Sequence, residues 1–348
     1  MEVKKLTAGS GYDYLTRQVA AMDSTEKGHL SLASYYSAKG ESPGVWVGRG
    51  MEGIEGLDAG DPVTAEQMKA LFGAGYHPLA IQRQAALPPD AEAKDFANAI
   101  RLGQPYRVYS RDVSPFRMEL ARRVADYNTS INASPTAAVP REERGRIRTE
   151  VAREFFVAEF KREPQDAREL AGLVARLSRP QTTAVAGFDL TFSPVKSVSA
   201  LWALADPSIA AVIEQAHQKA MADALRYIED HALYTRLGRN GVRQVDVQGL
   251  VGAAFTHRDS RASDPDLHTH VAVANKVQTL DGRWRSIDGR ILFKATVAAS
   301  ETYNTALERY LATDLGLVFR ARPTPEGKRP VREVAGVDPR LLDRWSAR

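Results

Sequence analysis

At Pro180 the hydrophobic period of the chain changes, and this change limits the possible folds more than any other feature. Before it, residues 115–127 and 141–178 carry apolar side chains at helical spacing, among them Ile147, Val151, Phe155, Phe156 and Phe160. Pro164 breaks the second run, and a Ser/Asn/Pro/Ala linker at 128–140 separates the two. After Pro180, residues 187–193 alternate in steps of two. Phe188, Leu190 and Phe192 therefore share one strand face, while Asp189, Thr191 and Ser193 share the other. Two more strand-like runs follow at 249–255 and 267–274, with helices expected at 209–233 and 294–315. Strands mixed with helices, lacking a regular βαβ rhythm, predict an α+β fold: an antiparallel sheet of about five strands flanked by helices. Residues 3–6 read as the first strand, Ser10 as the cap of a helix over 11–22, and glycine-rich 40–60 as loop. Thr64 caps a short helix that Gly73 and Gly75 end.

The 348 residues include no cysteine, which removes disulfides, thiolate zinc sites and a cysteine nucleophile. Any metal must be held by His, Asp, Glu or backbone oxygen. Three of the seven histidines, His257, His268 and His270, fall within fourteen residues. In a strand His268 and His270 project from one face. The Ser/Asp/Pro residues before them form a reversal that can bring His257 alongside. Three imidazoles with an open coordination position suit a catalytic divalent metal ion. Asp189, on the polar side of an apolar strand, either meets solvent or, if covered, must bond to an imidazole or a tyrosine hydroxyl. Tyrosines gather near the N-terminus at Tyr12, Tyr14, Tyr35 and Tyr36. Packing is the ordinary role of a tyrosine; nucleophilic catalysis is the alternative.

The net charge is +4, and its basic excess is local: residues 101–180 carry 16 basic side chains against 11 acidic ones. Arg122, Arg123, Arg144, Arg146 and Arg148 are candidates for phosphate contacts, a solvated helix face being the bland alternative. No apolar run is long enough for a membrane span and the N-terminus has no signal-like stretch, so a cytoplasmic protein without membrane insertion is expected.

Several segments together resemble a known family. The run GFDLTFSPVKSVSALWAL at 187–204, HRDSRASDPDLHTHVAVANKV at 257–277 and DGRWRSID at 281–288 are similar to conjugative relaxases of the MobF class, the TraI/TrwC-like enzymes. Tyr35 and Tyr36, followed by Trp46-Val47-Gly48-Arg49-Gly50, resemble that family's second tyrosine pair and the stretch after it. The resemblance implies a relaxase domain over 1–348, with a family-like core at 1–81 and 184–348 and an inserted, basic, mainly helical segment at 82–183. It implies nicking of plasmid DNA at the origin of transfer through a 5′-phosphotyrosine intermediate. It makes His257, His268 and His270 the ligands of Mg²⁺ or Mn²⁺, with Zn²⁺ as a further candidate, and Asp189 the acidic partner. The nucleophile falls to Tyr12 or Tyr14, with Tyr35 or Tyr36 for a later strand transfer.

Further expectations follow from the same likeness. Lys196 and Arg261 join the five arginines as DNA-binding candidates, and the helix at 294–315 corresponds to a segment that closes over the bound strand. Single-stranded or hairpin origin DNA, relaxosome accessory proteins and a type IV secretion coupling protein are the implied partners. A helicase region, which family members usually carry, is absent from this chain, which reads as a fragment of a longer polypeptide. The sequence departs from the family in the spacing of Tyr12-Asp13-Tyr14, in FSPVKSVS where FSAPKSVS is usual, and in the 82–183 insertion. Two other classes stay open: a non-catalytic DNA-binding module, and a metallohydrolase in which three histidines activate water.

Overall fold

A computed structural model describes residues 1–15, 44–107, 115–177, 184–260, 264–324, 326 and 330–345. They form two compact units, Met1–Tyr106 with Ala184–Arg348, and Arg107–Thr183. The first unit is built on a five-stranded sheet of β1 (Glu2–Thr7), β2 (Val45–Val47), β3 (Val185–Phe192), β6 (Gly252–Asp259) and β7 (Pro265–Ala274). A separate small hairpin pairs β4 (Tyr234–Leu237) with β5 (Arg243–Asp246). The large sheet runs β1-β3-β7-β6-β2, and every neighbouring pair is antiparallel. This is the α+β arrangement that the period change predicts.

The alternation in β3 sets the two faces of the sheet. Phe188, Leu190 and Phe192 lie across from Val273, Val271 and Thr269 of β7, and all are buried. Two long helices, Pro207–His231 and Thr296–Leu315, cover this face. The first presents Ile213, Ala216, Ala220, Ala224 and Ile228, spaced three and four residues apart; its alanines let the helix lie close to its neighbour. Ala299, Tyr303, Leu307 and Leu311 form the matching stripe on the second. The helix expected to close over a bound strand is therefore part of the hydrophobic core, with the Tyr303 ring 5.4 Å from Phe192. Its periodicity reveals that one stripe is buried, but not against which face.

The glycine-rich stretch at 40–60 is more ordered than its composition suggests. Val45–Val47 forms the edge strand β2 on β6, and a 3₁₀ turn follows at Arg49–Gly53. Trp46, fully buried, anchors the strand, and its indole donates to Gln67 Oε1 at 3.1 Å. Gln67 also closes the expected cap: the Thr64 amide donates to Oε1 at 2.9 Å and the Gln67 amide to Thr64 Oγ1 at 3.2 Å. The helix opens at Ala65–Met68, widens into a π-helical turn over Lys69–Ala74, and stops at Gly75, whose φ of 77° suits glycine.

Among the described residues, the second unit contains three helices, Pro115–Ser130, Arg141–Phe160 and Ala167–Leu177. Phe116, Ile147, Val151, Phe156, Leu170 and Leu173 form its own core. Buried Asn128 ties down the linker, donating to the carbonyls of Pro135 at 3.2 Å and Ala137 at 2.9 Å. Residues 82–106 pack within the first unit. Among the described residues, no helix is long and apolar enough to cross a membrane.

Candidate active site

The face of the sheet opposite the two long helices carries the polar side chains. β7 lies in the middle of the sheet, so residues from β3 and β6 flank its own. His257 stands directly across the β6–β7 ladder from His268, and Thr191 directly across from His270. Directly paired residues share a face, and so do residues two apart. This register gathers His257, His268, His270, Thr191 and Asp189 into one patch. β6 begins at Gly252 and runs on to Asp259, so His257 lies inside the strand, and the Ser260 amide closes the reversal on the Asp264 carbonyl at 2.8 Å.

One nitrogen from each of the three imidazoles lies within 4.8 Å of the others. The ring centroids are 5.2, 5.3 and 5.4 Å apart. His268 Nδ1 sits 2.8 Å from the Asp266 carbonyl oxygen, and His270 Nδ1 sits 2.9 Å from the Asp189 carboxylate. Both partners only accept, so each Nδ1 carries the hydrogen and each Nε2 keeps its lone pair. His257 is buried with neither ring nitrogen hydrogen-bonded. Such a group costs about 1–3 kcal/mol when left unpaired, a cost that a cation shared by the three rings would remove. Burial, reinforced by His268 and His270, pushes His257 down to about 3, and burial lowers His268 as well. Neutral imidazoles are the form that binds a metal ion.

Asp189 is almost fully buried, and its carboxylate is shared. It accepts a hydrogen bond from the Tyr14 hydroxyl and one from His270 Nδ1. The Tyr14 ring meets His270 edge-on, with centroids 6.1 Å apart at 80°. Tyr12 faces the other way. It is buried with its ring 6.3 Å from Phe72, whereas Tyr14 is 40% exposed. Tyr12 and fully buried Leu15 hold this turn to the protein, and the Gly9 amide fastens it to the Gly73 carbonyl at 2.9 Å. Tyr35, Tyr36 and Arg261 lie outside the described residues.

The remaining candidates sit elsewhere. Lys196 donates to the Pro265 carbonyl at 2.9 Å, pinning the start of β7. In the second unit Arg122 pairs with Glu119 and Asp126, Arg123 with Glu119 and Glu154, and Arg146 with Glu143 and Glu150. Arg144 and Arg148 are exposed on the same helix as Arg146.

Sequence reasoning missed a polar chain on the reverse side of β7. Tyr303 Oη lies 2.7 Å from His217 Nδ1, His217 Nε2 lies 2.7 Å from Thr269 Oγ1, and Thr269 Oγ1 lies 2.9 Å from Thr256 Oγ1. Thr269 separates His268 from His270, so the chain fixes the strand between two site histidines. A histidine on the apolar stripe of the helix at 207–231 was the available signal.

Residues 8–348 match the model of the TrwC relaxase family. The multifunctional conjugation protein TraI of Escherichia coli is 39% identical over 119 residues, 33% of this chain and 6% of that protein. TraI of Escherichia coli strain K12 is 39% identical over 102 residues, 29% of this chain and 6% of that protein. The chain thus spans a small part of the curated relatives it matches. Among solved structures, a copper-bound conjugative relaxase TrwC in complex with oriT DNA aligns over 99% of this chain and 79% of its own. Its TM-score of 0.50 at 22% identity shows a shared fold. The family model covers four of the five strands of the sheet, the histidine patch and the helical unit alike, and the chain belongs to the TrwC relaxase family.

Proposed function

We propose that this chain nicks one strand of plasmid DNA at an origin of transfer by tyrosine transesterification, and that Tyr14 makes the first cut. The observation that carries this reading is the Tyr14 hydroxyl donating to Asp189, which also holds His270. A nucleophile, a carboxylate able to take its proton and a metal-binding imidazole form one connected set. The Tyr14 oxygen attacks the phosphorus and its proton passes to Asp189. The bond to the 3′ oxygen breaks, leaving a 5′-phosphotyrosine and, after protonation from solvent, a free 3′-hydroxyl. The ester keeps the energy of the phosphodiester for religation.

His257, His268 and His270 are the residues that would hold a divalent metal ion, Mg²⁺ or Mn²⁺ first, with Zn²⁺ as the further candidate. Bound there, such an ion would supply Lewis-acid polarisation of a non-bridging phosphate oxygen. Asp189 keeps the His270 hydrogen on Nδ1, which orients the ring and leaves Nε2 free to bind. Membership of the family supports this reading, as does the association of its solved member with oriT DNA. Single-stranded or hairpin DNA is the proposed substrate, with Tyr35 or Tyr36 serving a later transfer. Relaxosome accessory proteins and a coupling protein are the proposed partners in the cytoplasm.

An oligonucleotide carrying the cognate origin tests the mechanism. The wild-type chain should form a covalent protein–DNA adduct that survives denaturant, and Tyr14→Phe should form none. Strand cleavage without an adduct would mark a metallohydrolase. Binding without cleavage would mark a DNA-binding module.

A further inference from the structure

We infer that a groove on the helical unit docks an acidic amphipathic helix of a partner protein. The groove lies between helices Pro115–Ser130 and Arg141–Phe160 and the linker joining them, and has a volume of about 930 Å³. Leu120, Val124 and Val139 line it over buried Phe116, and Arg141, Arg144 and Arg148 stand along its side. No carboxylate lines it among the described residues.

Charge separates this groove from the rest of the unit. Arg122, Arg123, Arg146, Arg162 and Arg176 each pair with a carboxylate of the same unit. Among the described residues, no ion pair engages Arg141, Arg144 or Arg148. Among the described residues Lys161 and Arg168 also form no ion pair, but along the groove three unpaired arginines line a single recess. A second observation concerns Gly145, which also lines it. Glycine weakens a helix interior relative to alanine. At Gly145 a Cβ would meet nothing within 4 Å, so no described neighbour requires the gap. It leaves space for something that approaches the helix closely.

The chemistry of the lining selects the occupant. Single-stranded DNA would use the arginines but also needs exposed aromatic planes for stacking. The one aromatic side chain here, Phe116, is 1% exposed. Aliphatic walls beside unpaired arginines suit a helix with leucine-like anchors on one face and carboxylates beside them.

Fluorescence anisotropy on the full chain tests this with three labelled probes. They are a designed helical peptide of about 18 residues with Leu at i, i+3, i+4 and i+7 and Glu elsewhere, its Lys-for-Glu twin, and an oligo-dT strand. The Glu/Leu peptide should bind saturably and the Lys/Leu twin should not. Joint Arg141→Glu, Arg144→Glu and Arg148→Glu should weaken the Glu/Leu peptide by about tenfold or more. Gly145→Leu should block it while the melting temperature holds or rises, and Arg122→Gln with Arg146→Gln should leave it unchanged. Three results would overturn the inference: no saturable binding of the Glu/Leu peptide, equal binding by wild type and both groove variants, or groove variants that lower oligo-dT affinity and spare the peptide.

Discussion

The Tyr14 hydroxyl donates a hydrogen bond to the carboxylate of Asp189, 175 positions later in the chain. The contact follows from sheet register. β1 pairs with β3 so that Lys4 faces Asp189, and after Thr7 the chain folds back over the same face. Tyr14 thus arrives at the carboxylate by strand pairing and a short anchored turn.

Tyr14 and Tyr12 should behave differently when changed. Tyr14→Phe keeps the ring edge on His270 and removes the proposed nucleophile, so the adduct should vanish while origin binding stays within about tenfold of wild type. Tyr12→Phe keeps the packing on Phe72 and should retain the adduct. Tyr12→Ala should cost about 3–5 kcal/mol in urea unfolding. An adduct mapped to Tyr12 would reverse the assignment.

The polar chain behind β7 gives a second prediction. His217→Ala removes a buried ring and leaves the Tyr303 and Thr269 hydroxyls short of a partner, a loss of about 2–5 kcal/mol. Because Thr269 lies between two site histidines, Mn²⁺ affinity measured calorimetrically should fall about tenfold or more. His268→Ala should abolish that affinity with the fold retained by circular dichroism, and excess chelator should stop nicking. Unchanged metal affinity in His217→Ala would confine the chain to stability.

Stability should fall as the solution is acidified below neutrality. Burial lowers His217 to about 3 and His77 to about 4, against an ordinary value near 6.5. Above 6.5 neither group is protonated folded or unfolded, and their contribution is level. Below 6.5 the unfolded chain takes up protons that the folded one refuses, until each folded value is reached. Each histidine should then remove about 1.4 kcal/mol per pH unit across that window. Urea titrations at pH 7, 6 and 5 test it; a flat midpoint would contradict the burial of these rings.

Much of the site is legible in the sequence because it follows from strand geometry. His268 and His270 two apart, with a reversal before them, imply a shared face with His257, and the structure places them together. Asp189 is legible as a residue needing a partner if covered. Which partner it meets depends on β1 pairing with β3 and on how the chain turns after Thr7, neither of which a local pattern carries. The edge strand Val45–Val47 is hidden by Pro43 and the surrounding glycines, since three residues are too few for alternation to stand out. The Arg122, Arg123 and Arg146 pairs are readable as i, i+3 and i, i+4 spacings, and they remove those side chains from the unneutralised charge.

Gly187 offers a sharp test of how the sheet supports the tyrosine turn. An added Cβ would lie 2.3 Å from the Val273 carbonyl oxygen and 3.1 Å from the Phe72 ring. Gly187→Ala should therefore cost about 1–3 kcal/mol or more through overpacking. Displacing Phe72 also shifts the surface on which Tyr12 rests, so adduct formation should slow even where the variant remains folded.

The pairing of β1 with β3 also governs synthesis. β1 ends at Thr7, and its partner begins at Val185. At about 5–20 residues per second, the ribosome leaves the first strand unmated for roughly ten to forty seconds. Its charged Glu2, Lys4 and Lys5 discourage association with neighbouring nascent chains during that wait. The helical segment, with its own core, is complete before β3 emerges, so the nascent protein can gain a folded unit while the site is still in two separate pieces.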